Sequence, residues 1–128
     1  MKLKGKKIAY LVEEGFEDLE FWVPLMRLKE EGAQVTVVSG RAAEFSGKHG
    51  LKARAETTAG NVSAADFDAV VVPGGWAPDK LRRYEAVKAL VRQTYEDGKI
   101  VAAICHAGLV LISAGIVEGR KATCSEGI

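Results

Sequence analysis

Ile100-Val101-Ala102-Ala103-Ile104-Cys105-His106-Ala107-Gly108-Leu109-Val110-Leu111-Ile112 decides the fold. Its first five residues are apolar, rich in β-branched side chains and too few for a helix, which reads as a strand buried on both faces of a parallel sheet. Residues 107–112 then form an apolar run that a buried helix can use. Between them stand Cys105 and His106, where small residues on both sides permit a sharp strand-to-helix turn.

Three more short apolar runs, Ile8 to Val12, Val35 to Val38 and Ala69 to Val72, repeat the strand signal. Phe21, Trp22, Leu25 and Leu28 make one helical stripe, and Val87, Leu90, Val91 and Tyr95 make another; Gly32 and Gly98 sit where helix C-caps belong. Pro24 falls inside the first helix, where an interior proline typically costs about 3 kcal/mol, so that helix is either kinked or regular only from near Val23. Residues 41–54, with Gly47 and Gly50 and no helical stripe, read as an irregular hairpin. Strands alternating with helices predict right-handed crossovers and a sheet covered on both faces, an α/β fold.

At 128 residues and 48% hydrophobic, the chain suits one domain over 1–128, and it carries no repeat or proline-rich linker. Eighteen basic and 17 acidic residues are scattered along it, leaving a net charge of +1, which argues against nucleic acid or an anionic membrane as the main partner. The basic start is followed only by Ile8 to Val12 before two glutamates, a strand rather than a leader, and no stretch approaches the roughly 18 apolar residues that span a bilayer. A soluble, cytoplasmic chain is expected. Cys105 and Cys124 are too few for a disulfide scaffold, and no Cys/His cluster has zinc spacing, so two free thiols and no metal are expected.

In an open parallel sheet, ligands bind beyond the carboxyl ends of the strands. The loops there are Glu13 to Asp18, Pro73 to Asp79 and Cys105 to Gly108. Cys105 is either a nucleophile whose thiolate a helix N-terminus favours, or a small buried hydrophobe; its place at a strand end beside His106 points to the first. His106 is a candidate general base and acid, whereas His49, in the glycine-flanked hairpin, is given no role. Glu17 is the carboxylate expected to approach Cys105 and share a proton with it, on the premise that the first and fourth strands lie side by side; the alternative is an ordinary dipole partner at a helix start. Gly74 and Gly75 offer backbone N–H groups for an oxyanion hole. Trp76 either walls the pocket or marks exposed loop packing. Cys124 reads as a structural thiol, with a resolving role in oxidation left open.

Glu14-Gly15-Phe16-Glu17-Asp18, Val72-Pro73-Gly74-Gly75 and Cys105-His106 after a strand strongly resemble the ThiJ/PfpI family, most closely its PfpI branch of intracellular proteases. Arg27 to Gly32, Gly47-Lys48-His49-Gly50 and Leu111 to Gly115 extend the resemblance over essentially the whole chain. It implies a flavodoxin-like three-layer sandwich with a mostly parallel central sheet, related to the class I glutamine amidotransferase domain. It further implies a nucleophile at Cys105, a partner at His106, a supporting carboxylate at Glu17, an oxyanion hole from the backbone of Gly75 and His106, and no cofactor. In the PfpI branch an acid from a neighbouring subunit completes a Cys-His-acid triad. The matching position is Asp79, one methylene shorter than the Glu of close relatives, so a homo-oligomer, dimer or hexamer, is expected. Family members continue for several tens of residues past the equivalent of Glu126-Gly127-Ile128, so the sandwich is expected to be short of its C-terminal elements.

Two function classes follow. One is a cysteine-dependent enzyme acting on a peptide, as a protease-like hydrolase, or on a small methylglyoxal-type aldehyde, as a glyoxalase or deglycase. The other is a non-catalytic redox sensor or stress-response chaperone that uses oxidation of Cys105. A flavin or phosphoryl-receiver domain is set aside, because Glu13, Glu14, Glu17 and Asp18 repel a flavin phosphate and the third strand ends in Val72-Pro73-Gly74 rather than a phosphoacceptor aspartate.

Overall fold

The computed structural model describes residues 1–128. Strand β1 (Lys7–Leu11) leads through helix α1 (Asp18–Glu30) to β2 (Gln34–Ser39), which pairs with β1 in parallel, Ile8 opposite Val35 and Tyr10 opposite Val37. Strands β3 (Glu44–Ser46) and β4 (Lys52–Arg54) form an antiparallel hairpin apart from the main sheet, the hairpin expected over 41–54. The two-residue β5 (Thr57–Thr58) extends the sheet beyond β2. After β6 (Ala69–Val72) come helices α2 (Ala77–Leu81) and α3 (Glu85–Glu96), then β7 (Ile100–Ala103) and helix α4 (Gly108–Ser113). The five main strands are all parallel, in the order β5-β2-β1-β6-β7. This is the α/β, flavodoxin-like architecture that the alternation and the resemblance predict, with α1 packed on β2 and α3 on β6 and β7.

The central strands carry the core. Tyr10, Leu11, Val12, Val38, Val70 and Val72 are fully buried, and each apolar side chain of this kind contributes about 1.5–3 kcal/mol relative to exposure. Phe21 from α1 meets Tyr10 edge-on at 5.1 Å and Phe16 at 5.0 Å, which fixes the first helix against the carboxyl end of β1.

Helix α1 runs through Pro24 without a break. Proline has no N–H, so the carbonyl of Glu20 loses its helical donor. The Tyr10 hydroxyl takes its place, sharing its one proton between the Glu20 carbonyl at 3.0 Å and the Phe21 carbonyl at 2.7 Å. Burial of that hydroxyl, aided by the Glu20 charge, pushes its pKa well above the ordinary tyrosine value and keeps it a donor.

Three expectations are corrected. The first and fourth apolar runs do not pair, because the chain crosses back over β1 to lay β6 between β1 and β7. Over residues 1–128 strand β7 is not buried on both faces: it is the last of the five strands, with Ile100 67% exposed. The helix expected to start beneath Cys105 begins three residues later and runs only over Gly108–Ser113, leaving Ile112 half exposed. No helix is long and apolar enough to cross a membrane.

Candidate active site

The site lies where the loops after β1, β6 and β7 meet. Two of them are zipped together: Glu17 N–H donates to the Gly74 carbonyl at 3.1 Å and Trp76 N–H to the Gly15 carbonyl at 2.8 Å, with Phe16 bridged to Gly75. Gly75 must be glycine, since its φ is +83° and a Cβ there would lie 2.5 Å from the Gly15 oxygen and 2.7 Å from the Phe16 carbonyl carbon. Its N–H makes no hydrogen bond within the chain, so it is free to meet an incoming oxygen. Gly74 N–H is not free: it donates to Glu20 Oε1 at 3.0 Å, which leaves Gly75 as the available half of the expected Gly74–Gly75 pair.

Cys105 is the only non-glycine residue with positive φ, at 60°. Such a conformation costs a residue with a Cβ about 1–3 kcal/mol and persists only where the surroundings impose it. Here β7 ends at Ala103 and the chain turns at once through a 3₁₀ turn over Cys105–Ala107, held by Ala107 N–H donating to the Ile104 carbonyl at 3.0 Å. The turn leaves the sulfur half-buried and 3.3 Å from Nδ1 of His106. Ser125 completes a triangle, its Oγ 2.9 Å from the same Nδ1 and 3.9 Å from the sulfur. Cys105 and His106 are thus in hydrogen-bond contact although adjacent in sequence, a geometry that the left-handed φ makes possible.

The carboxylates are distributed differently from expectation. Glu17 does not bond to Cys105; it caps α1, with Oε2 accepting the N–H groups of Leu19 and Glu20 at 3.0 Å each and Oε1 3.5 Å from His49 Nε2. The acid turned toward the cysteine is Glu20, one helical turn later. Its Oε1 and the Cys105 Cβ converge on the open side of Gly74, where a side chain would meet both, 2.7 Å from the cysteine carbon. Gly74 therefore keeps the space between the acid and the nucleophile clear. Asp18 is buried, and although burial by itself raises its pKa, the N–H groups of His49 and Leu51, at 2.9 Å each, outweigh that and hold it below the ordinary range. Its role is to fasten the Gly47–Leu51 turn over the start of α1, and His49 enters the site region only through that turn.

Asp79 stands on α2, half exposed, paired with Arg83 at 2.6 Å, and makes no bond to His106. A Cys-His-Asp triad is not formed within one chain. Trp76 is 60% exposed, its ring lying over Gly15 and 5.0 Å from Lys48 Nζ, so it covers the first loop from outside. Cys124 is exposed and, with Cys105, lines an apolar cavity of about 390 Å³ on the β7 side of the site. No group of three His, Cys, Asp or Glu side chains is arranged to hold a metal ion.

Glu20 and Ser125 are the residues that sequence reasoning missed. The signal for Glu20 was present: once Glu17 is taken as an N-cap, the residue three positions on lies on the same face, directed at the strand ends. Ser125 had none, since residues 121–128 contain no helix or strand whose periodicity could place it.

Known proteins share this arrangement of chain. The DJ-1/PfpI family model matches residues 6–128. A deglycase of Thermococcus kodakarensis is 45% identical over 117 residues, 91% of this chain and 70% of the relative. The deglycase PfpI of Pyrococcus furiosus is 43% identical over 122 residues, 95% of this chain and 74% of the relative. Among solved structures, a two-domain protein of Anabaena variabilis containing DJ-1/ThiJ/PfpI-like and ferritin-like domains superposes with a TM-score of 0.94 at 42% identity, over 96% of this chain and 36% of that one. Oxidized DJ-1 of Toxoplasma gondii gives a TM-score of 0.86 at 26% identity, over 94% of this chain and 67% of that one. With the match spanning nearly every residue, and with the cysteine turn, the paired glycines and the capped first helix all inside it, the chain belongs to the DJ-1/PfpI family.

Proposed function

We propose that this chain is a cofactor-independent, cysteine-dependent enzyme acting on small methylglyoxal-type aldehydes or their adducts, a glyoxalase or deglycase. The observation that carries the reading is Cys105, held at φ 60° with its sulfur 3.3 Å from His106 Nδ1. Relatives named as deglycases, 43–45% identical over most of the chain, support it. In the reaction the Cys105 thiolate attacks the carbonyl carbon; a C–S bond forms and the electron pair moves onto the oxygen. The free Gly75 N–H stabilises that oxyanion, and the proton that His106 or Glu20 accepted from the Cys105 thiol is returned to it. Glu20 takes the supporting role first assigned to Glu17, because it is the carboxyl that faces Cys105 across Gly74.

Peptide hydrolysis places a further demand, since a leaving amine needs a proton from an oriented imidazole. Asp79 supplies that orientation only from a second copy of the chain. Self-association, as a dimer or a hexamer, is accordingly part of the proposal, and the exposed apolar stripe of Leu19, Val23 and Met26 on α1 supports it.

The test is purified protein with methylglyoxal, a glycated thiol and a fluorogenic peptide, with Cys105→Ala beside it. Consumption of the aldehyde or the adduct that falls to background in Cys105→Ala is the expected result. Wild type no faster than Cys105→Ala on all three substrates sinks the enzyme and leaves a redox sensor.

A further inference from the structure

Cys124 is a second free thiol, and it lines the same cavity of about 390 Å³ as Cys105, with Val101, Ala103, Leu111 and Ile112 supplying apolar wall. Its neighbour Ser125 already reaches the site, with Oγ 3.9 Å from the Cys105 sulfur. No backbone hydrogen bond ties residues 121–128 to the rest of the chain, and the Cys124 thiol has only a weak 3.7 Å contact to the Ile128 carbonyl within that segment. A disulfide needs Cα atoms about 4.4–6.8 Å apart, and consecutive residues lie about 3.8 Å apart. Since Ser125 is in contact with the sulfur, a slide of roughly one residue brings Cys124 to it. That movement gives up the Ser125 side-chain bonds and disturbs no helix or strand.

We propose that Cys105 and Cys124 are a peroxide-reactive and a resolving cysteine, joined on oxidation in an intramolecular disulfide that switches the site off reversibly. The proposal rests on the reading of Cys105 as the reactive thiolate. The thiolate attacks a hydroperoxide; the O–O bond breaks, an alcohol or water leaves, and Cys105 becomes a sulfenic acid. The Cys124 thiolate then attacks that sulfur, the S–O bond breaks, water leaves and the S–S bond forms. Two thiols supply two electrons, and one peroxide is reduced. Because a sulfenic acid that meets no thiol is oxidised irreversibly by a second peroxide, the nearby Cys124 diverts Cys105 from that loss.

The test treats purified protein with hydrogen peroxide, blocks the remaining thiols, digests with trypsin and reads masses. Cleavage after Lys99, Arg120 and Lys121 puts the two cysteines on separate peptides. Wild type should give the two peptides joined through a bond that dithiothreitol cleaves, with both free thiols recovered. Cys124→Ser should instead give the Cys105 peptide carrying two added oxygens, which dithiothreitol does not remove. Wild type that accumulates the doubly oxidised Cys105 peptide while Cys124 stays alkylatable overturns the proposal, as does a disulfide found only between two chains. The masses require no turnover, so failure of the disulfide is read separately from failure of the aldehyde assay, and the enzyme reading stands or falls on the latter.

Discussion

Cys105 occupies a backbone conformation suited to glycine, and this separates its chemical role from its structural cost. Alanine at 105 removes the sulfur but keeps a Cβ in the left-handed region; glycine removes both. Cys105→Gly is therefore expected to be more stable than Cys105→Ala by up to about 1 kcal/mol, the left-handed penalty of 1–2 kcal/mol less the extra freedom of glycine in the unfolded chain. Urea midpoints of the two variants measure it. An alanine variant equal to or more stable than the glycine one shows that no strain is stored there. Sequence made this residue visible because it stands at a strand end, beside His106 and before an apolar run that can turn into a helix. It did not make the carboxylate visible. Glu17 and Glu20 are the same residue type three positions apart, and only the capping geometry, in which the Glu17 oxygen is used by Leu19 and Glu20 N–H, directs one acid along the helix and the other toward Gly74.

The first helix shows how a local rule is overridden by a contact distant in sequence. Pro24 leaves the Glu20 carbonyl without a donor, and Tyr10, ten residues earlier on β1, supplies one. Tyr10→Phe should thus cost about 1–3 kcal/mol, the range for a buried group left unsatisfied. In a Pro24→Ala background the helix regains its own N–H, so the cost of Tyr10→Phe should fall by a measurable part, though not to zero, because the Phe21 carbonyl is also bonded to that hydroxyl at 2.7 Å. Denaturation of the four proteins gives the coupling, and additive effects show that Tyr10 does not compensate the proline. The strands were legible from their β-branched runs, and β6 over Ala69–Val72 matches its apolar run residue for residue. Helix α2, the five residues that directly follow Trp76, was missed because so short a segment has no periodicity. The placing of β6 between β1 and β7 was missed too, because apolar runs read alike wherever they lie in a sheet while strand order is set by the crossovers.

Leu19, Val23 and Met26 recur at i, i+4 and i+7 on α1 and are 65%, 53% and 55% exposed, a helical stripe turned to solvent although Phe21 and Leu25 on the same helix are buried. Full burial of each such side chain contributes roughly 1.5–3 kcal/mol, so covering the stripe in both copies of a two-fold pair offers enough apolar surface to anchor association, because a two-fold interface uses the same patch twice. Asp79, paired with its own Arg83 and remote from His106 in hydrogen-bonding terms, gives such an assembly a chemical consequence if a neighbouring copy presents it to the imidazole. Sedimentation should show the wild type as a dimer or larger. Leu19→Lys combined with Val23→Glu should give a monomer whose stability changes little, since exposed substitutions usually cost within about 0.5 kcal/mol each. The two activities should then part. Aldehyde turnover, which draws on Cys105, Glu20 and the Gly75 N–H of one chain, should persist in the monomer, while peptide hydrolysis should fall by on the order of 10²-fold, the usual worth of general acid catalysis. Asp79→Ala should lower peptidase activity alike without dissociating the assembly. A wild type that sediments as a monomer and retains full peptidase activity removes the intersubunit acid and leaves hydrolysis to His106, Ser125 and Glu20 of a single chain.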